Sequence, residues 1–286
     1  MHIRCNSLPS APHPLLPQFH ENLQRLKDSE ASTTSLSSSS ISYKLSGLQD
    51  LHDCAEKLLQ LTTTQQNFTL ECSEKKSVDE LLEGSLRLLD ICSIVQDCLL
   101  RSKENMHVIQ SVIRRKGGGV EFNVESEKYL ASRKNMKKVI QKALRNLKGI
   151  KNELIASSTS KDNDTCSILS ILKEAEAVTV RSLESLLLFI SDSKGQSMKG
   201  RWTTISKLMQ STRVSCNDFQ ESDTNEFVKM DATLRSLISH KVLSVENIQS
   251  HMGNLEICIE DLEIGVEKLS RQLIRTRVSL LNIFSQ

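Results

Sequence analysis

The side chains that could bind a metal ion are scattered through this 286-residue sequence. Its seven histidines stand apart, with no H-E-x-x-H arrangement and no His/Cys cluster at metal-ligand spacing. The nearest approach to a set of metal ligands is His2, Cys5, His13 and His20. These residues lie in a proline-interrupted segment that has no core to fix ligand geometry. We therefore expect neither a metal ion nor any other cofactor, and we interpret each histidine as solvated or hydrogen-bonded.

The eight cysteines show no reactive or disulfide-forming pattern, because none belongs to a C-x-x-C pair or to a regular spacing. Cys92 and Cys258 fall on apolar helical stripes, where a thiol acts as a small apolar side chain rather than as a nucleophile. We expect reduced thiols and hence a cytoplasmic or nuclear protein. The N-terminus lacks a signal-peptide pattern, so secretion is not expected. Gly117 to Gly119 lack the phosphate-loop motif and predict a turn.

A run of basic residues is the most unusual surface feature. Nine basic residues and no acidic one lie between Lys128 and Lys151, opposite an apolar stripe, although the whole chain carries only +2. The candidate partner-binding face consists of Arg133, Lys134, Lys137, Lys138, Lys142, Arg145 and Lys148. Such a helix could bind an acidic protein or an anionic membrane surface, or act as a nuclear import signal.

A competing interpretation is that the charges of this basic face are paired within the bundle. Acidic residues of the C-terminal helix could neutralise it within one bundle: Glu256, Glu260, Asp261, Glu263 and Glu267. We favour this interpretation, because charged helix faces are usually solvated or paired. The scarcity of aromatic residues and of base-reading motifs argues against nucleic acid as a partner.

Ser7 is a candidate phosphorylation site. Arg4 lies three residues before it and Pro9 two residues after it, a pattern that basophilic kinases and phosphoserine adaptors tend to read. A phosphate there would add close to two negative charges and strong hydrogen-bond acceptors.

Helices must position all of these residues. All four prolines fall within the first 17 residues and aromatic residues make up only 3%, which argues against a β-sandwich or a β-barrel. Residues 1–40, rich in Pro, Ser and Thr, predict a flexible N-terminal arm in which Pro17 to Lys27 could form a short helix that docks on the body. Residues 41–286 predict a single helical-bundle domain.

The fold class we expect is all-α, an elongated antiparallel bundle with long coiled-coil-like helices. A capping box at Ser77 opens one long helix, at 77–116, and a heptad pattern marks another, at roughly 226–285. The candidate helix-pairing seam of the second consists of Ile259, Leu262, Val266, Leu269, Leu273 and Leu280. We expect a second apolar side, at Ile274, Val278, Leu281 and Phe284, to be buried as well. The helix that covers the seam could belong to this chain or to another copy, so a homo-oligomer stays open.

Several longer blocks are similar to one known family. They include Ser7-Leu8-Pro9-Ser10, the run from Val78 to Asp90, the block from Trp202 to Met209, and the terminal block from Arg275 to Ile283. Together they resemble the plant BYPASS-like family. The resemblance implies a plant-specific helical protein linked to root and shoot development, without an assigned reaction, so no catalytic residue can be carried over.

We therefore expect a non-enzymatic scaffold or regulator that binds one or more protein partners. An extended heptad surface without a catalytic constellation favours that function. The alternative is a peripheral membrane protein that binds anionic lipid through the basic helix 128–151.

Overall fold

The chain folds into helices alone throughout the residues that the computed structural model describes, namely 13–32, 36–71, 75–115, 119–158, 168–192, 225–239 and 245–285. Eight helices and no strand lie within these ranges, which confirms the all-α prediction. The helices are α1 (Leu15–Ser32), α2 (Ser38–Leu59), α3 (Thr62–Glu71), α4 (Lys75–Arg114), α5 (Val120–Ser158), α6 (Ile168–Ser191), α7 (Glu226–Ile238) and α8 (Val245–Ser285).

Helices α2, α4, α6 and α8 surround the core, and each packs on two or more of the others. Gln49 of α2 donates to the Gly265 carbonyl of α8, and Gln272 donates to Asp53, so α2 and α8 run in parallel. Lys103 and His107 of α4 pair with Glu260 and Glu256 of α8, so these two helices are antiparallel. Glu80 and Gly84 of α4 lie beside Lys173 and Glu176 of α6, so those two are parallel. Around these four, α1 packs on α2 and α6, α5 on α4 and α6, and α7 on α5 and α8.

The heptad seam of α8 is buried within this one chain. Ile259, Leu262, Val266 and Leu269 are completely inaccessible, and Leu273 and Leu280 nearly so, because α2 and α4 cover both sides of the stripe. Gly265 lets α2 approach closely, since a Cβ there would lie 2.8 Å from Cδ1 of Leu45. The seam therefore pairs with helices of the same molecule.

The short docked helix predicted within residues 1–40 is present as α1, which packs on α2 and α6. Helix α1 extends beyond the expected Pro17 to Lys27 at both ends, and its Phe19, Leu23 and Leu26 are buried. These apolar side chains recur at helical spacing and form one stripe, which gains free energy by packing on α2 and α6. Ser7 and the segment from Trp202 to Met209 lie outside the described residues.

The second long helix is interrupted, contrary to the prediction of one helix over roughly 226–285. Helix α7 ends at Ile238, where the Ser239 amide bonds back to the carbonyls of Arg235 and Leu237, and α8 begins at Val245. Helix α7 folds back antiparallel to α8, as the contact between Thr233 and His251 indicates. The interruption lets α7 bury side chains against α5 and α8 at the same time.

The prediction that the second apolar side of α8 is buried is wrong for three of its four residues. Ile274, Val278 and Leu281 are 49%, 48% and 41% exposed rather than buried. Helices α2 and α4 cover the seam, and these three side chains lie on the exposed side of this end of α8. Only Phe284 of this set packs against the core.

The buried seam leads to a direct test. Leu269→Ala should lower the free energy of unfolding by about 2–5 kcal/mol, because it removes a completely buried side chain between α2, α4 and α8. Ile264→Ala, on the exposed side of the same helix, should cost less than about 1 kcal/mol. Urea denaturation followed by circular dichroism measures both, and equal costs for the two variants would contradict the packing described.

Candidate functional site

Helix α5 carries an exposed row of five basic side chains. Its outer face, opposite the buried stripe that includes Met136, Ile140 and Leu147, presents Lys134, Lys138, Lys142, Arg145 and Lys148. We call these five residues the basic strip; at 1.5 Å per residue it is about 21 Å long. None of the five forms an ion pair with another described residue, whereas the flanking Lys128 and Lys151 pair with Glu125 and Glu184.

Arg133 and Lys137, predicted to belong to the same face, point elsewhere. The Arg133 side chain is only 2% exposed, and its Nε donates to Oδ1 of the buried Asp231 of α7 at 3.1 Å. Its Nη2 donates to the Ile190 carbonyl at 2.9 Å, and the guanidinium lies 4.8 Å from the centroid of the Phe227 ring. Lys137 Nζ approaches Asp231 Oδ2 at 3.4 Å. Position 133 falls on the buried stripe of α5, so the Asp231 carboxylate rather than solvent compensates the charge of Arg133.

Asp231 is the residue of this cluster that sequence reasoning missed. It is a lone carboxylate on the apolar face of α7, between Phe227, Met230 and Leu234, and all four side chains are buried. A single acidic residue within an apolar helical stripe is a signal that the sequence does contain. Because burying an unpaired charge is costly, such a residue calls for a basic partner on another helix.

Glu256, Glu260 and Glu263 of α8 pair with α4 rather than with α5, so the predicted pairing partners are wrong, although Arg133 and Lys137 do pair within the bundle and the basic strip faces solvent. Glu260 and Glu263 lie 3.4 Å and 3.2 Å from Lys103 Nζ of α4, and Glu256 accepts a hydrogen bond from His107 or pairs with it when the imidazole is protonated. Helix α4 lies next to α8 and also contacts α5, and its own basic side chains pair with these carboxylates. The basic strip therefore stays un-neutralised by α8.

A second candidate site lies at the junction of α2, α4, α6 and α8. A cavity of about 40 Å³ there has four polar lining residues among leucines and an alanine, namely His52, Ser85, Glu176 and Thr276. This volume would hold two or three water molecules, since each needs at least about 10–15 Å³. Sites for organic ligands are usually about 300–1,000 Å³.

The hydrogen bonds around His52 define its tautomer. The Thr179 hydroxyl donates to the Ala175 carbonyl at 2.7 Å, so its oxygen accepts from His52 Nε2–H at 2.8 Å. His52 Nδ1 is then an acceptor, and it has no partner among the described residues; the same holds for the Thr276 hydroxyl. Burial lowers the pKa of His52 to about 4, so the ring is neutral at pH 7.

Glu176 supplies a buried carboxyl group to the same cavity. Burial raises its pKa to about 7, against the opposing charges of Arg87 and Lys173. Gly84 of α4 makes room for this carboxyl group, because a Cβ at that position would collide with Oε1. The cavity can thus hold water beside a carboxyl group that exchanges its proton near neutral pH. No group of three or more potential metal ligands occurs within the described part of the chain.

The comparison with protein families now identifies the chain. A sequence model described as Protein BPS1 matches residues 44–283, which include the four core helices from within α2 onward, all of α5 and the Arg133–Asp231 pair. The chain belongs to the BPS1 family. This membership confirms the resemblance to BYPASS-like plant proteins, and it indicates a plant-specific regulator of development. Searches of curated proteins and of solved structures find no match.

The buried ion pair of this BPS1-family chain should behave as a coupled unit. Asp231→Leu should cost about 3–5 kcal/mol of unfolding free energy, because it leaves the Arg133 guanidinium buried without a counter-charge. The double variant Arg133→Met with Asp231→Leu should be more stable than Asp231→Leu alone, since it removes both charges. Chemical denaturation of the two single variants and the double variant gives the coupling free energy, and strictly additive costs would rule out the pairing.

The cavity should affect how stability depends on pH. Since the folded pKa of Glu176 lies above its unfolded value of 4.5, the unfolded chain releases this proton first, and stability falls as pH rises from about 4.5 to about 7. Glu176→Gln removes that loss. The variant should therefore gain on the order of 2–3 kcal/mol over the wild type at pH 8 but almost nothing at pH 4.

His52 acts in the opposite direction and supplies an internal check. Its lowered pKa means that the unfolded chain takes up a proton first, so stability falls as pH drops from about 6.5 to about 4. The Glu176→Gln variant should reveal this slope, which Glu176 masks in the wild type. Thermal denaturation from pH 4 to pH 8, with the exposed Glu104→Gln as control, measures both effects. A gain that is the same at pH 4 and pH 8 would contradict the assignment.

Proposed function

We propose that this BPS1-family chain is a non-enzymatic interaction protein that binds an acidic segment of a partner protein through the basic strip of α5. The observation that supports this proposal is the row of five exposed cations without a counter-charge among the described residues. A row of like charges on a rigid helix attracts an oppositely charged partner and fixes its orientation.

The spacing of the strip indicates the form of the partner. Lys134, Lys138, Lys142, Arg145 and Lys148 are separated by three or four residues, so they follow one side of the helix. An acidic helix or an extended acidic segment of about 21 Å would match this row. Binding of this kind is sensitive to salt, because exposed charges are screened over about 8–10 Å at physiological ionic strength.

The interior of the bundle supports the non-enzymatic part of the proposal. The cavity beside His52 and Glu176 has room for water only. A larger surface groove, of about 350 Å³, lies between α2, α7 and α8, but there Ser38 donates to Glu226 and His251 Nδ1 bonds to Thr233. The Thr233 hydroxyl donates to the Lys229 carbonyl, so it accepts from His251 Nδ1 and does not give its proton to the imidazole as an activated nucleophile would.

The anionic-membrane alternative relies on the same strip but has less support. A helix that inserts into a lipid interface places apolar side chains among the acyl chains, and the main apolar stripe of α5 is buried against the bundle. Of the apolar residues next to the strip, Val139 is exposed. Among the described residues, no helix combines the length and the apolar character needed to cross a bilayer.

A matched pair of charge reversals tests the proposal. The probe is a fluorescent 20-residue peptide of alternating Glu and Ala, whose binding to the full chain is followed by anisotropy at 50 mM and 200 mM NaCl. Lys138→Glu with Arg145→Glu should weaken binding at 50 mM NaCl at least tenfold, and it should reduce the salt dependence. Lys268→Glu with Arg275→Glu makes the same charge change with the same spacing on an exposed side of α8, and it should bind like the wild type.

Two results would overturn the proposal. One is equal weakening by both double variants, which would indicate a response to net charge rather than to the strip. The other is binding to vesicles of 30% phosphatidylserine in phosphatidylcholine, lost in the strip variant, without binding to the acidic peptide. That result would favour the membrane alternative.

A further inference from the structure

We infer that the solvent side of α8, together with the adjoining edge of α4, is the interface of a symmetric homodimer in which the α8 helices of two copies run antiparallel. Part of this surface is the side of α8 that carries Ile274, Val278 and Leu281, which are exposed rather than buried. Three observations support a second copy as the occupant: the spacing of the exposed residues, the order of their charges, and the match of the surface to its own twofold-related copy. The basic strip lies on α5 and is not part of this surface, so the inference is independent of the proposed function.

The exposed residues of α8 have the spacing of a second coiled-coil stripe. We call this row the outer stripe; its eight positions alternate by three and four residues, and all are exposed: Ile257, Glu260, Ile264, Glu267, Arg271, Ile274, Val278 and Leu281. Five of the eight are large apolar residues, each between 41% and 62% exposed. A three-four alternation holds one side of a helix against a partner helix over many turns. The outer stripe therefore predicts that a further helix packs along the solvent side of α8.

Two opposite charges at the middle of the outer stripe specify the direction of that further helix. Glu267 and Arg271 are one turn apart and form an exposed ion pair within α8. In an antiparallel pair with its twofold axis level with Leu269, Glu267 of each copy lies opposite Arg271 of the other. A parallel pair would instead place Glu267 against Glu267 and Arg271 against Arg271, which is repulsive. The charges therefore favour the antiparallel arrangement of two copies.

The same axis also matches the apolar residues of the outer stripe. Because the two residues of each pair are equally far from Leu269 in the sequence, apolar side chains meet apolar side chains in two kinds of contact: Ile264 with Ile274, and Ile257 with Leu281. The remaining contact is between Glu260 and Val278. The Glu260 carboxylate lies 3.4 Å from Lys103 Nζ of α4, so a cation of the same chain accompanies it at the edge of the interface. Removal of the apolar side chains from water favours association.

Helix α4 widens this surface with two exposed leucines. Leu86 and Leu100 are 43% and 51% exposed. They lie on the row of α4 that borders α8, because His107, seven residues after Leu100, contacts Glu256 of α8. The next row of α4 outward is acidic and exposed, and it forms the edge of the surface: Glu83, Asp90, Asp97 and Glu104.

The two leucines follow the same twofold axis. Arg277 of α8 contacts Ser85 of α4, and the two helices are antiparallel. The point midway between the leucines, eight residues after Ser85, therefore comes level with Leu269 to within about one helical turn. Rotation about the axis brings Leu86 of one copy opposite Leu100 of the other. A surface whose separate parts match themselves about one axis is what an isologous interface requires.

The surface is large enough for a stable dimer. From Ile257 to Leu281 the outer stripe is about 36 Å long, and α8 with the adjoining edge of α4 is about 20 Å wide. Specific interfaces bury about 800 Å² on each partner. The two helices together approach this area, whereas the outer stripe alone, about half as wide, does not.

Size-exclusion chromatography with light scattering measures the mass of the full chain over a dilution series from about 1 μM to 1 mM. The wild type should reach twice the monomer mass of 32.2 kDa as its concentration rises. Ile264→Asp with Ile274→Asp should stay monomeric at the same concentrations, with unchanged helix content by circular dichroism. Lys138→Glu with Arg145→Glu, on the basic strip, is the control and should dimerise like the wild type. The peptide assay tests the strip alone, so the two proposals can fail separately.

A charge exchange tests the antiparallel register. Glu267→Arg and Arg271→Glu should each raise the dimer dissociation constant at least tenfold, because each places like charges opposite one another at two contacts. The double variant Glu267→Arg with Arg271→Glu restores both contacts between opposite charges, and its dissociation constant should lie within about threefold of the wild-type value. An equal mixture of the two single variants should form heterodimers, because one chain then carries only basic residues and the other only acidic residues at these positions.

Three results would overturn the inference. They are a wild-type chain that stays monomeric throughout the dilution series, a dimer that persists in Ile264→Asp with Ile274→Asp, and a double charge variant that dimerises as weakly as the single variants. Since Ile264 belongs to this interface, the stability comparison of Ile264→Ala with Leu269→Ala is made at concentrations at which the chain is monomeric.

Discussion

The apolar stripe of α8 is buried along most of its length only if two other helices pack against it. Helices α2 and α4 meet this requirement, one parallel and one antiparallel to α8, and together they close over Ile259, Leu262, Val266 and Leu269. Helix α6 then completes the ring between α2 and α4. Because burial of apolar surface favours folding in proportion to the area removed from water, α2 and α4 are held against this stripe.

Polar groups interrupt this apolar interior at two places, and each has a different physical solution. Arg133 is neutralised by Asp231 and solvated by a backbone carbonyl, so the charge persists inside the protein and ties α5 to α7 and α6. Glu176 forms no ion pair with a described residue, and burial raises the pKa of its carboxyl group, which therefore holds its proton to higher pH. One interior thus contains a permanent ion pair and a carboxyl group that titrates near neutral pH.

The basic strip follows from the way in which α5 packs on the bundle. The basic strip exists because α5 packs with only one side on α4 and α6, which leaves its opposite side in water. On the other side of the bundle, α1 packs on α2 and α6, and Gly47 of α2 makes room for the Leu26 side chain. A charged row in water favours rapid, salt-sensitive association with a partner.

Periodicity and composition were sufficient to predict an all-α chain, the seam of α8 and the docking stripe of α1, since each depends on residues spaced along a single helix. The family resemblance came instead from blocks of sequence such as the run from Val78 to Asp90. The same local pattern did not predict that α7 turns back, that Ile274 and Val278 face water, or that Glu260 and Glu263 pair with Lys103 of α4. It also grouped Arg133 with the exposed lysines. Helical spacing specifies which side chains share a face. Only the arrangement of the helices decides what that face meets, because burial, ion pairing and pKa depend on neighbours that are distant in the sequence.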